Sequence, residues 1–122
     1  MALEDAAKDI MLDAFADVAL YASLHTALPG SVGSYEVTGG SPAYARKSLS
    51  WAPADGSYLW INSQIVFDVP GSITIHYLGY WSALTSGTFY GFRNLSEPKT
   101  YGGQGFYTII AGDIEESLIS EF

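Results

Sequence analysis

Residues 21–51, YASLHTALPGSVGSYEVTGGSPAYARKSLSW, constrain the fold of this chain more than any other stretch. A short apolar run is followed by a Gly/Ser/Pro segment over 27–44, and then by a second run that starts at Arg46-Lys47 and ends on Trp51. A connection this long inside a compact domain is uncommon and is usually functional or disordered. Tyr35 and Tyr44 lie within it, and side chains of that size bury enough area to hold a loop in place. The segment reads as a loop ordered by packing, and no catalytic set of side chains runs through it. Order without chemistry points to a structural or recognition module.

The rest of the chain supplies the frame. Over residues 2–18, Leu3, Ala7, Ile10, Met11, Ala14, Phe15 and Val18 recur at helical spacing and predict one amphipathic helix with an apolar stripe. Strand-like content begins at 20–26. Further strands are predicted at 45–51, 58–61, 64–69, 72–81, 88–93, 105–111 and 114–120. Turn chemistry separates them at 52–56 (APADG) and at Pro70-Gly71, because Pro presets φ and Gly accepts positive φ. The run 72–81 is apolar on both faces, which predicts a central strand or one covered by a partner. Many short strands closely spaced predict a mainly β fold, an antiparallel β-sandwich or jelly-roll-like barrel with one N-terminal helix. A length of 122 residues makes it a single domain over 1–122.

Composition narrows the function. Only 15% of the residues are charged and 15% are aromatic, against about 25% charged in an ordinary soluble domain. Depletion of charge with enrichment of aromatics marks surfaces that meet other proteins, so the chain is expected to assemble with copies of itself or with other proteins. A net charge of −8, with five Lys and Arg residues, argues against binding a nucleic-acid backbone. No apolar run approaches the ~20 residues that cross a bilayer. The acidic N-terminus lacks the basic start of a signal peptide, so assembly in a cytoplasm is expected. Cysteine is absent, which removes disulfides, thiolate metal sites and a cysteine nucleophile. No cofactor is expected.

Asp5, Asp9, Asp13 and Asp17 repeat every four residues and stack along one helix face. Like charges at that spacing repel by ~0.2–0.5 kcal/mol per pair. Such a row is expected either to be a solvated face or to meet a basic neighbour. Leu3, Ile10, Met11 and Phe15 with Asp9, Asp13 and Asp17 are thus the candidate anchor for assembly. Arg46 and Lys47, adjacent in a strand, face opposite sides of a sheet; a salt bridge is the expected role, and contact with an acidic polymer the sharper one. His25 and His76 stand in apolar strands without nearby carboxylates and read as hydrogen-bonded structural histidines. No G-x-S-x-G elbow is present, and nothing selects a carboxylate pair for glycoside cleavage. The runs Gly39-Gly40 and Gly102-Gly103-Gln104-Gly105 lack the Lys-Ser/Thr ending of a phosphate loop. Tyr58 and Trp60, two apart in a strand, point to one face and could form a platform for a cell-wall glycan.

The segments SLHTALPG, EVTGGSPAYARK and LSW resemble a family of small virion proteins of tailed bacteriophages, described as tail-fibre-like or capsid-decoration proteins. The resemblance continues in order through VFDVPGSITI, LGYWSA, SGTFYGF and SEPKTYGGQGFYTI, and the opening ALEDAAKDIMLDAFA matches the family's first helix. The C-terminal DIEESLISEF is more acidic than the alternating small and apolar tail of the family. The resemblance implies a non-enzymatic structural role in the virion, with no catalytic residues to carry over. The expected partners are copies of the chain, as a homo-oligomer and preferably a trimer, and other virion proteins such as the major capsid or tail proteins. A glycan-binding adhesion module is the alternative.

Overall fold

The computed structural model describes residues 3–118, as one helix and eight strands. The helix α1 spans Asp5–Val18; residue 2 of the predicted 2–18 helix lies outside the described residues. Asp5 in the first turn complements the helix dipole. The strands are β1 (Tyr21–His25), β2 (Lys47–Ser48), β3 (Tyr58–Trp60), β4 (Ile65–Val69), β5 (Ile73–Trp81), β6 (Phe89–Tyr101), β7 (Gly105–Ile109) and β8 (Glu115–Ser117).

All strand pairs are antiparallel. One sheet runs β2-β1-β5-β6, while β4 pairs with β7 and β3 with β8. β5 is central and buried along its second half, as its two apolar faces predict. On β4, Ile65, Phe67 and Val69 point inward and Val66 outward, the alternation of a half-buried strand. These inward residues join Leu24, Leu78 and Tyr80 of the four-stranded sheet, Ile109 of β7, and Ile61 and Ile114 beside β3 and β8, in one buried cluster. The mainly β, antiparallel reading with a single N-terminal helix is what the structure shows.

The strand predicted at 105–111 ends at Ile109 and the one predicted at 114–120 covers only Glu115–Ser117 among the described residues, and two other boundaries differ more. The predicted strand 45–51 shrinks to Lys47–Ser48, because Arg46 is pulled out of a ladder by side-chain bonds described below. The strand predicted at 88–93 continues to Tyr101. It leaves β5 after Asn94↔Tyr77 and rejoins it at Lys99↔Ile75, so residues 95–98 oppose His76 alone. That bulge buries Leu95 and places Pro98 on an exposed edge, where its missing N–H costs no ladder bond. Of the strand predicted at 114–120, residues 119 and 120 lie outside the described residues.

Candidate functional site

The helix docks through its acidic row as well as through Phe15 of its apolar stripe. Residues 55–58 form a two-residue hairpin turn with positive φ at Gly56 (59°) and Ser57 (73°), closed by Asp55–Tyr58 backbone bonds. Positive φ at both central residues is the type I′ geometry, which matches the twist of the flanking strands. Its polar groups face α1. The Ser57 amide donates to Asp9 Oδ1 at 2.8 Å, the Ser57 hydroxyl to Asp5 Oδ1 at 2.5 Å, and the Ala54 amide to Asp13 Oδ1 at 2.8 Å. Asp17 is exposed. Three of the four carboxylates are therefore held by the chain's own turn, neither wholly solvated nor left for a basic neighbour. Sequence spacing showed the row; the donors 41 to 52 residues away had no local signal.

This docking rotates the helix away from the orientation its apolar stripe predicts. The residues turned inward are Lys8 and Leu12, with Phe15 and Ala16 half-buried. Phe15 packs edge-on to Trp51, Tyr80 and Tyr90, with centroids 5.9, 5.5 and 6.5 Å away. The expected anchor set thus splits. Phe15, Asp9 and Asp13 are used within the chain, and Leu3 is half-buried. Ile10 at 71% exposure and Met11 at 43% face solvent beside exposed Ala14 and Val18. Beyond Met11 the exposed rings of Tyr90 and Phe92 continue this surface, and a groove of about 210 Å³ opens between α1 and β6. Along its floor the Tyr80 hydroxyl donates to Glu116, which also pairs with Arg93 at 3.3 Å. Burial, then the Glu116 charge, pushes the Tyr80 phenol well above its ordinary range.

The long loop is pinned at several points. Tyr44 stacks on Phe67 with planes 9° apart; its hydroxyl accepts from the Leu24 amide and donates to Glu36. Burial and the Glu36 charge raise its pKa far above a free phenol. Arg46 bonds Glu36 through Nε and Nη2, donates to the carbonyls of Ala83 and Ser86, and lies 3.6 Å from the Trp81 ring centre. The expected salt bridge is present within the chain, and this cation is not free for an acidic polymer. Gln104 bonds the backbone at Ser41 and Pro42. Tyr35 differs from expectation: it is 65% exposed and at positive φ.

His25 is a fully buried structural histidine. Its Nδ1 lies 2.7 Å from the Ser34 carbonyl, which only accepts, so Nδ1 carries the proton. Nε2 then accepts from the Ser23 hydroxyl at 2.6 Å, and Ser23 Oγ accepts from Trp81 Nε1 at 2.8 Å. Burial lowers the His25 pKa, against the opposing pull of the Ser34 carbonyl and Glu36. Ser23 is as fully buried as His25, so its hydroxyl has no open route to a substrate. His76 is half-buried against Tyr77.

Tyr58 and Trp60 do lie together, with ring centroids 5.8 Å apart and planes at 34°. Tyr58 is 42% exposed, and Trp60 Nε1 donates to Glu115 Oε2 at 2.8 Å. Among the described residues no three His, Asp or Glu side chains converge on a point that could hold a metal ion, and no helix is long and apolar enough to cross a membrane.

The geometry is that of a small β-rich body with ordered loops and exposed apolar surfaces. No curated protein matches the chain. Over residues 3–117 the sequence matches the family described as Podophage GP4 fiber I protein gp80, in keeping with the virion-protein resemblance of its loop and strand motifs, and the chain belongs to that family of phage fibre proteins.

Proposed function

We propose that this protein is a non-enzymatic structural subunit of a phage fibre that acts through assembly with copies of itself and with neighbouring virion proteins. The observation that supports it most is the apolar stripe of α1 left facing solvent: Ile10, Met11, Ala14 and Val18 on a helix already docked by another face. An exposed contiguous apolar surface on a protein marks an interaction site. A fibre appendage is preferred to a capsid-decoration role because the family is described as a fibre protein. A trimer is the preferred homo-oligomer.

The test has two parts. Light scattering on the purified protein reads the mass of the particle it forms, and Ile10→Glu on the exposed stripe should lower it. Mass spectrometry of separated heads and tails then locates the protein. Abundance with tails supports the fibre role, abundance with heads transfers it to decoration, and a wild-type protein monomeric at all concentrations removes self-assembly.

A second reading rests on the Tyr58–Trp60 pair. An exposed Tyr58 ring beside a half-buried Trp60 and the Glu115 carboxylate suits stacking against a sugar with hydrogen bonds at its edge, so this pair is the candidate platform for a host cell-wall glycan. Binding to cell-wall preparations should fall when Trp60 is replaced by Ala; unchanged binding removes the platform.

A further inference from the structure

The bulge of β6 opens onto a second cleft, of about 330 Å³, completed by β7 and by the residues leading into β8. That volume lies within the ~300–1,000 Å³ of small-molecule sites. Bulges re-aim side chains beside functional sites. This one turns Leu95 inward as apolar floor and leaves Asn94 and Ser96 exposed at the rim. β7 supplies the Tyr107 ring, half-buried against the core, and Asp113 lies beside it. Burial, then the Asp113 charge, raises the Tyr107 pKa, so its hydroxyl remains a donor at neutral pH. Arg93 uses Nη1 for the Glu115 carbonyl and the Glu116 carboxylate, while Asp113 uses Oδ2 for the Ile110 amide. Among the described residues, Arg93 Nη2, Asp113 Oδ1, the Asn94 amide and the Tyr107 hydroxyl bond no other protein group, and all belong to side chains lining the cleft.

We infer that this cleft takes one ring of a neutral oligosaccharide, a neighbouring unit of which stacks on the Tyr58–Trp60 pair. The inference rests on the glycan reading above and extends it from a platform to a two-part site. Glu115 joins the parts: its Oε2 accepts from Trp60 Nε1 and its carbonyl accepts from Arg93. A sugar ring needs hydrogen-bond partners around its edge and an apolar surface under its C–H face. Arg93 and Tyr107 donate, Asp113 accepts, and the Asn94 amide does both. The Tyr107 ring and Leu95 supply the apolar surface. Charge argues against other small ligands. Arg93 is already matched by Glu116 at 3.3 Å and the chain carries −8, so an anion is not drawn in. Among the described residues no three His, Asp or Glu side chains gather there for a metal cation. A wholly apolar ligand would strip water from the polar rim and give no bond in return.

Calorimetric titration with neutral oligosaccharides, released from the host cell wall and sorted by length, tests this. Tetrasaccharides should bind the wild type more tightly than monosaccharides, with an affinity indifferent to salt. Tyr107→Phe and Asn94→Ala each remove a hydrogen-bonding group from the cleft, and circular dichroism checks that both variants fold. Each should weaken tetrasaccharide binding about three- to tenfold, and Trp60→Ala, which strips the platform, should weaken it as well. Loss in Trp60→Ala with no change in either cleft variant overturns the cleft and leaves the platform standing. Weakening by the cleft variants alone overturns the platform and, with it, the two-part site. Equal affinity for monosaccharide and tetrasaccharide also overturns the two-part site. Affinity that falls steeply with salt overturns the neutral ligand. A wild type that binds none of these sugars overturns the glycan reading altogether.

Discussion

Asp9 and Asp17 occupy the same row of α1, yet replacing each by Ala should move stability in opposite directions. Asp9 accepts the amide of Ser57, a residue only 9% exposed. A hydrogen bond to a charged group contributes about 1.5–3 kcal/mol. Against that loss, Ala is a better helix former than Asp by about 0.5 kcal/mol. Removing Asp9 also relieves repulsion from Asp5 and Asp13, about 0.2–0.5 kcal/mol for each pair. The net expectation is a destabilisation of about 1 kcal/mol. Asp17 is exposed near the C-terminal end of the helix, where a negative charge opposes the dipole by about 0.3–1 kcal/mol. Its loss adds the same propensity gain and relieves one repulsive pair, so Asp17→Ala should stabilise by about 1 kcal/mol. Urea denaturation with unchanged m-values measures both, and a gap of about 2 kcal/mol between two aspartates two turns apart is the expected result. An Asp9→Ala protein as stable as Asp17→Ala would refute the turn-docking argument.

Three further perturbations probe the loop and the buried histidine. Arg46→Lys keeps the charge but loses the fork to Glu36, and should cost about 3 kcal/mol; thermal unfolding measures the loss, and faster proteolysis within 27–44 should accompany it. Because the folded-state pKa of His25 lies below its ordinary 6.5, the unfolded chain binds the extra proton first. Its contribution to stability is therefore complete above about pH 6.5 and is lost as pH falls from there toward the depressed folded value, by at most about 1.4 kcal/mol per pH unit. Unfolding free energies from pH 7.5 to 5.5 should show this slope in the wild type and a shallower one in His25→Gln. Gly79→Ala would set a Cβ 2.4 Å from Ser23 Oγ and 2.7 Å from His25 Nε2, and should destabilise by about 1–3 kcal/mol; unaltered urea midpoints would contradict the packing described for that cluster.

What could be read from the sequence followed from periodicity. The alternation of β4, the two-sided apolarity of β5 and the turn at Pro70-Gly71 each have a local cause, and each stands where expected. The helix was legible as a helix, but its orientation was not. Hydrophobic spacing turns Ile10 and Met11 inward, whereas hydrogen-bond donors on a distant turn hold Asp5, Asp9 and Asp13 and leave Lys8 and Leu12 as the residues turned inward. Long-range chemistry overrode amphipathic pattern at that point. The same holds for the truncated strand around Arg46, whose partners lie at Glu36, Ala83 and Ser86, and for β6, whose extension depends on burying Leu95 in a bulge. The groove could not be read at all, because its walls come from residues near 11 and near 90. Tyr58 and Trp60 were legible as a pair because strand alternation alone brings them together.

The contacts that seat α1 span 41, 48 and 52 residues of chain, which bears on the order of folding. Non-local closure is slow, and β-rich chains dominated by it fold in milliseconds to seconds. The helix precedes the 55–58 turn in the chain and has nothing to dock on until that turn has formed. Substitutions at Asp9 should therefore change the unfolding rate far more than the folding rate. The groove beside β6 exists only after α1 has seated, so a partly folded chain does not yet carry it.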